Sequence, residues 1–337
     1  MRIGVDISQL AHIGGVSVYT EQLVKALVKR KTFDYTFFYS SLRQPLKLRL
    51  TRVKKYKLPP SLFELLFNNL RNVKIERFLG PIDVFHSSDW VQPPTDAKKV
   101  TTYHDVVALK FPEWSHPKIV DVHKKRLEIV KKEIDKIIAV SEATKRDLME
   151  VSQIPSDKIV VIYEGVREGL TPQEDKKKAE FRKRYKLPEK YVLAIGGIGE
   201  RRNIKRIKEA AKNYNLVIAG ETIPRVGNEE MALLYSSAHV LLYPSLYEGF
   251  GLPILESMAC GVPVITSNLS SMPEVGGNAA FYVDPFSLED ITKKLDVVMN
   301  DNHLRDELIT KGLKRAKEFS WDKCAEQTEA VYRSLKT

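Results

Sequence analysis

Glu248 and Glu256 lie eight positions apart in the stretch YEGFGLPILESMACGVPVI (247–265), whose other residues are largely apolar or glycine. Carboxylates are costly in such surroundings unless something binds them. Glu248 follows the apolar run HVLLYPS and precedes GFG, which places it in the loop at the carboxyl end of a strand. Pro253 stands where a helix would begin, Gly261 would end that helix, and PVIT would start the next strand. Glu256 then falls one turn into the helix. Both carboxylates face the crevice in which open α/β sheets bind ligands, and the glycine turn exposes backbone N–H groups there. Carboxylates accept well from hydroxyls, so a polyol such as a sugar together with a ribose would satisfy both. The plainer alternative is that either glutamate caps a helix or pairs with a lysine.

Three further groups carry chemistry. Gly14 and Gly15, in HIGGVSVYT after the first strand, would let backbone approach a phosphate at a helix start, where anions are favoured; the alternative is an ordinary strand-to-helix turn. Arg201 and Arg202, in GIGERRNIKRI, offer charge-assisted, often bidentate bonds to phosphate oxygens, unless they only form a solvated basic face. His104 and Asp105 follow the strand KVTTY at its carboxyl end. A lone histidine is often a packing residue, and Asp105 either orients it or contacts a ligand. Ser141 and Glu142, in VSEATKRDL, read as a capped helix start.

The elements that must position these residues follow one rhythm. RIGVDIS, YTFFYS, DVFHSS and KVTTYHD read as strands in the first half; YVLAIGG, NLVIAG, HVLLYPS, PVITS and AAFYVD do so in the second. Helical patterns lie between them at 17–30, 120–133, 142–151, 202–212, 228–237 and 286–299. Short apolar strands alternating with helices predict parallel sheets buried on both faces, hence two doubly wound α/β domains. The polar, proline-punctuated stretch 164–188 reads as the break between them. The expected domains are 1–167 and 168–319, with a last helix at about 320–337 packing back on the first.

A length of 337 residues suits two domains, each with its own core. No apolar run approaches the roughly 18–20 residues that span a bilayer, and the opening MRIGVDIS lacks the layout of a secretory signal. Cys260 and Cys324 are the only cysteines and show no CxxC spacing, which suggests neither a disulfide framework nor a zinc site and fits a reducing cytoplasm. The net charge of +11 points to an anionic partner. It concentrates in RQPLKLRLTRVKKYK (43–57), which holds Arg43, Lys47, Arg49, Arg52, Lys54, Lys55 and Lys57 without an acidic residue. That run, followed by SLFELLFNNL, is either a solvated loop before a core helix or a surface that docks on anionic lipid.

The stretch around Glu248 and Glu256 resembles the E-x7-E signature of the retaining nucleotide-sugar glycosyltransferases of family 4, which have the GT-B fold. The resemblance runs almost without interruption over 233–285. GGVSVYTEQL, TTYHDVVALKFPEW, IIAVSEATKRDL and FSW match further family blocks in order. It implies two Rossmann-like doubly wound parallel-sheet domains facing a cleft, the first binding acceptor and the second donor. It also implies that Glu256 accepts from the donor's ribose, while Glu248, with the backbone of Phe250, Gly251 and Leu252, holds hydroxyls of the transferred sugar. Gly14 and Gly15 would approach the diphosphate, and Arg201 and Arg202 would neutralise the leaving group. His104 would lie over the sugar near the acceptor side, with Asp105 either orienting it or contacting the acceptor.

The expected reaction is transfer of a mannose- or glucose-type sugar from a nucleoside-diphosphate sugar, with GDP-mannose favoured, to a glycan or lipid-linked acceptor. No Asp-x-Asp pair occurs, so no metal and no other cofactor is expected. Nucleic acid is not an expected partner, since no RRM- or KH-like block is present. The expected location is cytoplasmic, with peripheral binding to the inner membrane face through 43–57. Two departures stand out: 220–233 is compressed where the family has a longer base-cradling segment, and Glu164 occupies a position where asparagine is common. Two rival readings are a GT-B 2-epimerase or phosphorylase and an NAD-type Rossmann enzyme. The second would need a glycine where Arg202 stands and would use Glu221 on the ribose.

Overall fold

The computed structural model describes residues 1–336 other than Ser88, Asp89, Gly197, Ile198 and Arg225. The ends of the expected strands DVFHSS and YVLAIGG and one residue of the compressed segment therefore lie outside the described residues. The chain divides into two compact units: unit 1 comprises 1–165 and 321–337, and unit 2 comprises 166–320.

Unit 1 holds seven strands: β1 (Arg2–Asp6), β2 (Asp34–Ser40), β3 (Val53–Tyr56), β4 (Val84–Ser87), β5 (Lys98–Tyr103), β6 (Lys136–Ala139) and β7 (Ile159–Val161). They pair in parallel in the order β3-β2-β1-β4-β5-β6-β7. β1 starts the sheet at its centre and the chain then builds out to both sides, the doubly wound arrangement whose switch point lies beside β1. The inner strands are buried on both faces, which is why their sequences read as continuous apolar runs. Aromatic side chains (Phe38, Phe63, Phe67 and Phe85) fill one cluster under β2 and β4; a second, around Ile137, Leu127, Val130 and Leu148, lies under β5 and β6.

The last helix, Trp321–Ser334, belongs to this unit. Its buried Glu329 accepts from Tyr35 Oη at 2.9 Å and Arg30 Nε at 3.0 Å, and Tyr332 Oη lies 2.7 Å from His86 Nδ1. His86 is pushed down to about 3, first by burial and then by the charge of His104.

Unit 2 has five parallel strands, β8 (Val192–Ile195), β9 (Leu216–Ala219), β10 (Val240–Tyr243), β11 (Val264–Ser267) and β12 (Phe281–Val283), in the order β12-β11-β10-β8-β9. Its core joins Ala194, Ile218, Leu242 and Ile265 of the strands to Ile207, Ile291, Leu295 and Leu308 of the flanking helices. Side-chain caps start the helices after Ser287 and Asp301, each accepting from the backbone N–H three residues on.

Some elements differ from the sequence reading. The stretch taken as a break contains the helix Asp175–Tyr185, which buries only Phe181 and so shows no apolar stripe. β6 and β7 are too short to stand out in the sequence pattern, and the helix Asn302–Ala316 shows no apolar stripe because it buries just Leu308, Gly312 and Ala316. Within 43–57, Val53–Tyr56 forms the edge strand β3 rather than loop.

Candidate active site

Glu248 lies in the loop after β10, and Gly251 precedes the helix Leu252–Ala259. At φ 102°, Gly251 adopts a conformation that side chains with a Cβ rarely take, so the sharp turn into that helix needs glycine. The loop is clamped from the next strand's end: Ser270 Oγ donates to the Glu248 carbonyl at 2.5 Å, and Ser271 Oγ lies 3.0 Å from that carbonyl and 2.8 Å from that of Phe250. Phe250 is buried, its ring edge-on to Phe319 at 6.0 Å. Leu252 opens the helix and is buried as well.

The Glu248 carboxylate is 6% exposed and fully engaged. Tyr243 Oη donates to Oε1 at 2.7 Å, Arg202 Nη1 to the same oxygen at 2.6 Å, and Arg201 Nη1 stands 3.7 Å from Oε2. Arg202 also bonds Tyr243 Oη and lies over its ring. Asn203 holds the arginine turn in place. It takes the left-handed conformation (φ 58°), and its buried Nδ2 donates to the carbonyls of Pro244 at 3.0 Å and Pro285 at 2.8 Å. The structure thus gathers Glu248, Arg201 and Arg202 into one cluster in unit 2.

Glu256 is 3% exposed. Tyr235 Oη donates to Oε2 at 2.8 Å, and Arg167 Nη2 forms an ion pair with Oε1 at 3.0 Å. Burial and the neighbouring Glu256 hold the Tyr235 phenol well above its usual range, so it stays a donor. Arg167 also donates to Asn228 Oδ1 at 2.8 Å. It therefore ties the helix carrying Glu256 to the compressed segment. Among the described residues, only a turn, one bridge between Ala219 and Ile223, and the single turn Asn228–Glu230 separate β9 from the helix Met231–Ser236. Sequence reasoning did not single out Arg167, Tyr235, Tyr243, Ser270 or Ser271. An arginine two residues before a glycine and scattered hydroxyls give no local signal.

In unit 1, Gly14 (φ 150°) caps the helix Gly15–Arg30, and a Cβ added at either glycine would meet nothing within 4 Å. Both backbones are therefore open to a ligand. His104 follows β5, with Tyr19 edge-on at 4.5 Å between ring centres and Glu164 Oε1 3.5 Å from Nδ1. The Glu164 carboxylate is buried beside the histidine it would orient. Asp105 Oδ1 accepts from Val107 N at 3.1 Å, a turn-forming role. Ser141 caps its helix as expected, accepting from Thr144 N at 2.9 Å. Glu221, the residue a dinucleotide reading would put on a ribose, is half exposed and ion-paired with Lys208. Among the described residues no group of three or more His, Cys, Asp or Glu side chains is placed to hold a metal ion.

Two parallel-sheet α/β units with polar clusters at the strand carboxyl ends are the architecture of the GT-B fold. Residues 144–315 match the family described as Glycosyl transferases group 1, and residues 13–169 match Glycosyltransferase Family 4. The chain belongs to the group 1 glycosyl transferases, and its reaction is transfer of a hexosyl unit from a nucleotide sugar. It is 30% identical to the O-antigen chain mannosyltransferase B of Escherichia coli over 284 residues, 75% of this chain and 74% of that protein. Among solved structures, sucrose-phosphate synthase from Thermosynechococcus elongatus superposes with a TM-score of 0.82 at 19% identity, covering 99% of this chain and 98% of that one. Anabaena HepE, solved with UDP-glucose, gives 0.74 at 12% identity, covering 99% of this chain and 100% of that one. These two likenesses establish the fold.

Proposed function

We propose that the chain is a retaining, metal-independent mannosyltransferase that uses GDP-mannose and a glycan or lipid-linked acceptor. The observation that carries this reading is the buried Glu248 carboxylate held by Arg201, Arg202 and Tyr243 at the start of a helix. The likeness to an O-antigen mannosyltransferase supports mannose as the transferred sugar.

Unit 2 binds the donor in this reading. Glu256 accepts from the ribose hydroxyls, oriented by Tyr235 and Arg167. Glu248 and the backbone of Phe250, Gly251 and Leu252 take hydroxyls of the sugar. As the glycosidic bond breaks, negative charge grows on the leaving diphosphate, and Arg201 and Arg202 neutralise it from a preorganised position. Gly14 and Gly15 add backbone N–H groups at a helix start. The transition state is oxocarbenium-like; the acceptor attacks from the leaving-group side, and no protein nucleophile is needed. His104, which Tyr19 and Glu164 hold in unit 1, is assigned to the transferred sugar on the family resemblance. The exposed Arg43, Lys47, Arg49, Lys54, Lys55 and Lys57 provide a face for anionic lipid. No helix among the described residues is long and apolar enough to cross a membrane.

A thermal-shift panel of GDP, UDP, ADP, NAD and a short RNA, in EDTA, tests the reading. Stabilisation by GDP above the others is expected. A shift with NAD or RNA alone would refute it.

A further inference from the structure

Unit 1 contains a cavity of about 330 Å³ beside the carboxyl ends of β1 and β2. Most of its lining surface is carbon, supplied by Phe38, Phe63, Trp90, Val91, Ile119 and Val122, while Ser8, His12, Ser40, Ser61, Glu64 and Lys118 add polar groups. Asp6 and Gln9 stand at the inner end, both 5% exposed, and the Gln9 Oε1 oxygen has no hydrogen-bond partner. The same two residues line a second, smaller cavity of about 30 Å³, whose far wall includes His104, Tyr19 and Thr102. Asp6 and Gln9 therefore form a polar partition with an apolar pocket on one side and His104 on the other.

The exposed lining residues are mixed, with Trp90 and Ile119 alongside His12, Ser61 and Lys118. Trp90 is 40% exposed and Ile119 36%, and Ile13, beside the lining residue His12, is 85% exposed. Of the nine exposed large hydrophobic side chains among the described residues, six (Ile13, Leu42, Leu65, Leu70, Trp90 and Ile119) belong to unit 1. Leu65 and Leu70 extend the helix that supplies Phe63 and Glu64 to the pocket, directly after the basic run 43–57. A pyranose would need polar partners around its whole rim. This pocket's surface is mostly carbon, with the buried Asp6 and Gln9 among its polar groups. Two of the six exposed hydrophobic side chains, Trp90 and Ile119, line the pocket itself, and a mostly apolar concavity with a few polar groups is the usual form of a ligand site.

We infer that this pocket receives the hydrocarbon portion of an amphiphilic acceptor, with the acceptor's hydroxylated end delivered to Asp6 and Gln9 next to His104. The assignment of the ligand as acceptor rests on the transferase reading above; the hydrocarbon site itself does not. Gln9 Oε1 would accept from an acceptor hydroxyl, which satisfies a buried oxygen that otherwise goes unpaired. The basic run 43–57, which the chain places between the lining residues Ser40 and Ser61, would then face the head groups of the surface from which such an acceptor comes.

The test is a calorimetric titration of octyl α-mannoside, methyl α-mannoside and free α-mannobiose, each below any micelle concentration. Wild type, Val122→Trp (which fills the pocket) and Trp90→Ala would be compared, with the GDP thermal shift recorded for each. Octyl mannoside should bind at least about tenfold more tightly than the methyl glycoside. Val122→Trp should abolish that advantage, and Trp90→Ala should reduce it severalfold. Equal affinity for octyl and methyl glycosides overturns the inference. So does an octyl advantage that survives in both variants while each melts like wild type, or tighter binding of mannobiose than of octyl mannoside. If the octyl advantage is present and lost on filling, yet GDP gives no shift, the hydrocarbon site stands and the transferase reading falls.

Discussion

The carboxylate loop of unit 2 and the pocket of unit 1 solve opposite problems. In unit 2, Glu248 and Glu256 are buried with cations and phenols already in hydrogen-bond or ion-pair contact, so a polar site is complete before any ligand arrives. Preorganised charge of this kind favours a transition state because nothing must reorient when charge develops. In unit 1, the cavity beside β1 presents mostly carbon with a few polar groups, and its one orphaned polar atom is Gln9 Oε1 among the described lining residues. The first region is built to stabilise charge, the second to accept shape and apolar area. A transferase that meets a fixed donor and an amphiphilic acceptor needs one of each.

The contrast is sharpest at Glu248. Replacing it by glutamine keeps the volume but removes the charge that Arg201 and Arg202 surround, and kcat should fall by about 100-fold or more. The melting temperature should move by only a few degrees. A melting loss that accounts for the whole activity loss would make the cluster structural. The buried Glu329 of unit 1, paired with the half-buried Arg30, makes the counter-case. Glu329→Ala strips the partner from Arg30 and Tyr35 and should destabilise the unit by about 3 kcal/mol in urea unfolding. Turnover per folded molecule should be retained, and a specific loss of turnover would assign the last helix a catalytic part.

Glu256→Ala removes charged hydrogen bonds worth about 1.5–3 kcal/mol from a bound ribose, so GDP affinity should drop by roughly 10- to 100-fold. Unchanged affinity would take the ribose away from this residue. The pH dependence separates the units further. His86 is buried neutral, pushed down to about 3 from an unfolded value near 6.5, so between those values the unfolded state holds the proton that the folded state refuses. Stability is therefore full above pH 6.5 and falls below it by about 1.4 kcal/mol per unit. His86→Asn should flatten that acid limb; an unchanged limb would place the loss elsewhere. The smallest effect concerns the basic run. Neutralising Arg43, Lys47, Arg49 and Lys54 should weaken binding to anionic liposomes by about 1 kcal/mol per charge at low salt. Arg52 is left alone because it pairs with Asp34 at 2.7 Å. Liposome binding equal to wild type would remove the membrane face.

The same contrast explains what could be read from the residues in order. The unit 2 site is local: a strand end, a glycine turn and the first turns of a helix carry Glu248, Gly251 and Glu256 within nine residues, and the arginine turn follows another strand directly. Its alternating strands and helices carry plain apolar runs, so the parallel sheets were legible too. Partners that come from afar were not. Tyr235, Arg167 and the serines at 270 and 271 reach the glutamates only once the sheet is wound. The hydrocarbon pocket joins residues from Asp6 to Val122 and leaves no motif at all. The helix Asp175–Tyr185 escaped for a different reason, since a helix with one buried side chain shows no stripe. Glu164, a departure without a function in sequence terms, is set by the fold beside His104, a neighbour far away in the chain.

The central claim is that unit 2 holds a nucleotide sugar, with Glu248 on the sugar. Calorimetric titration of GDP and GDP-mannose, in EDTA, into wild type and Glu248→Gln tests it most directly. Wild type should bind both, with GDP-mannose tighter; the variant should keep GDP and lose the increment due to mannose. An increment that persists in the variant, or no binding of either ligand to wild type, would contradict the account.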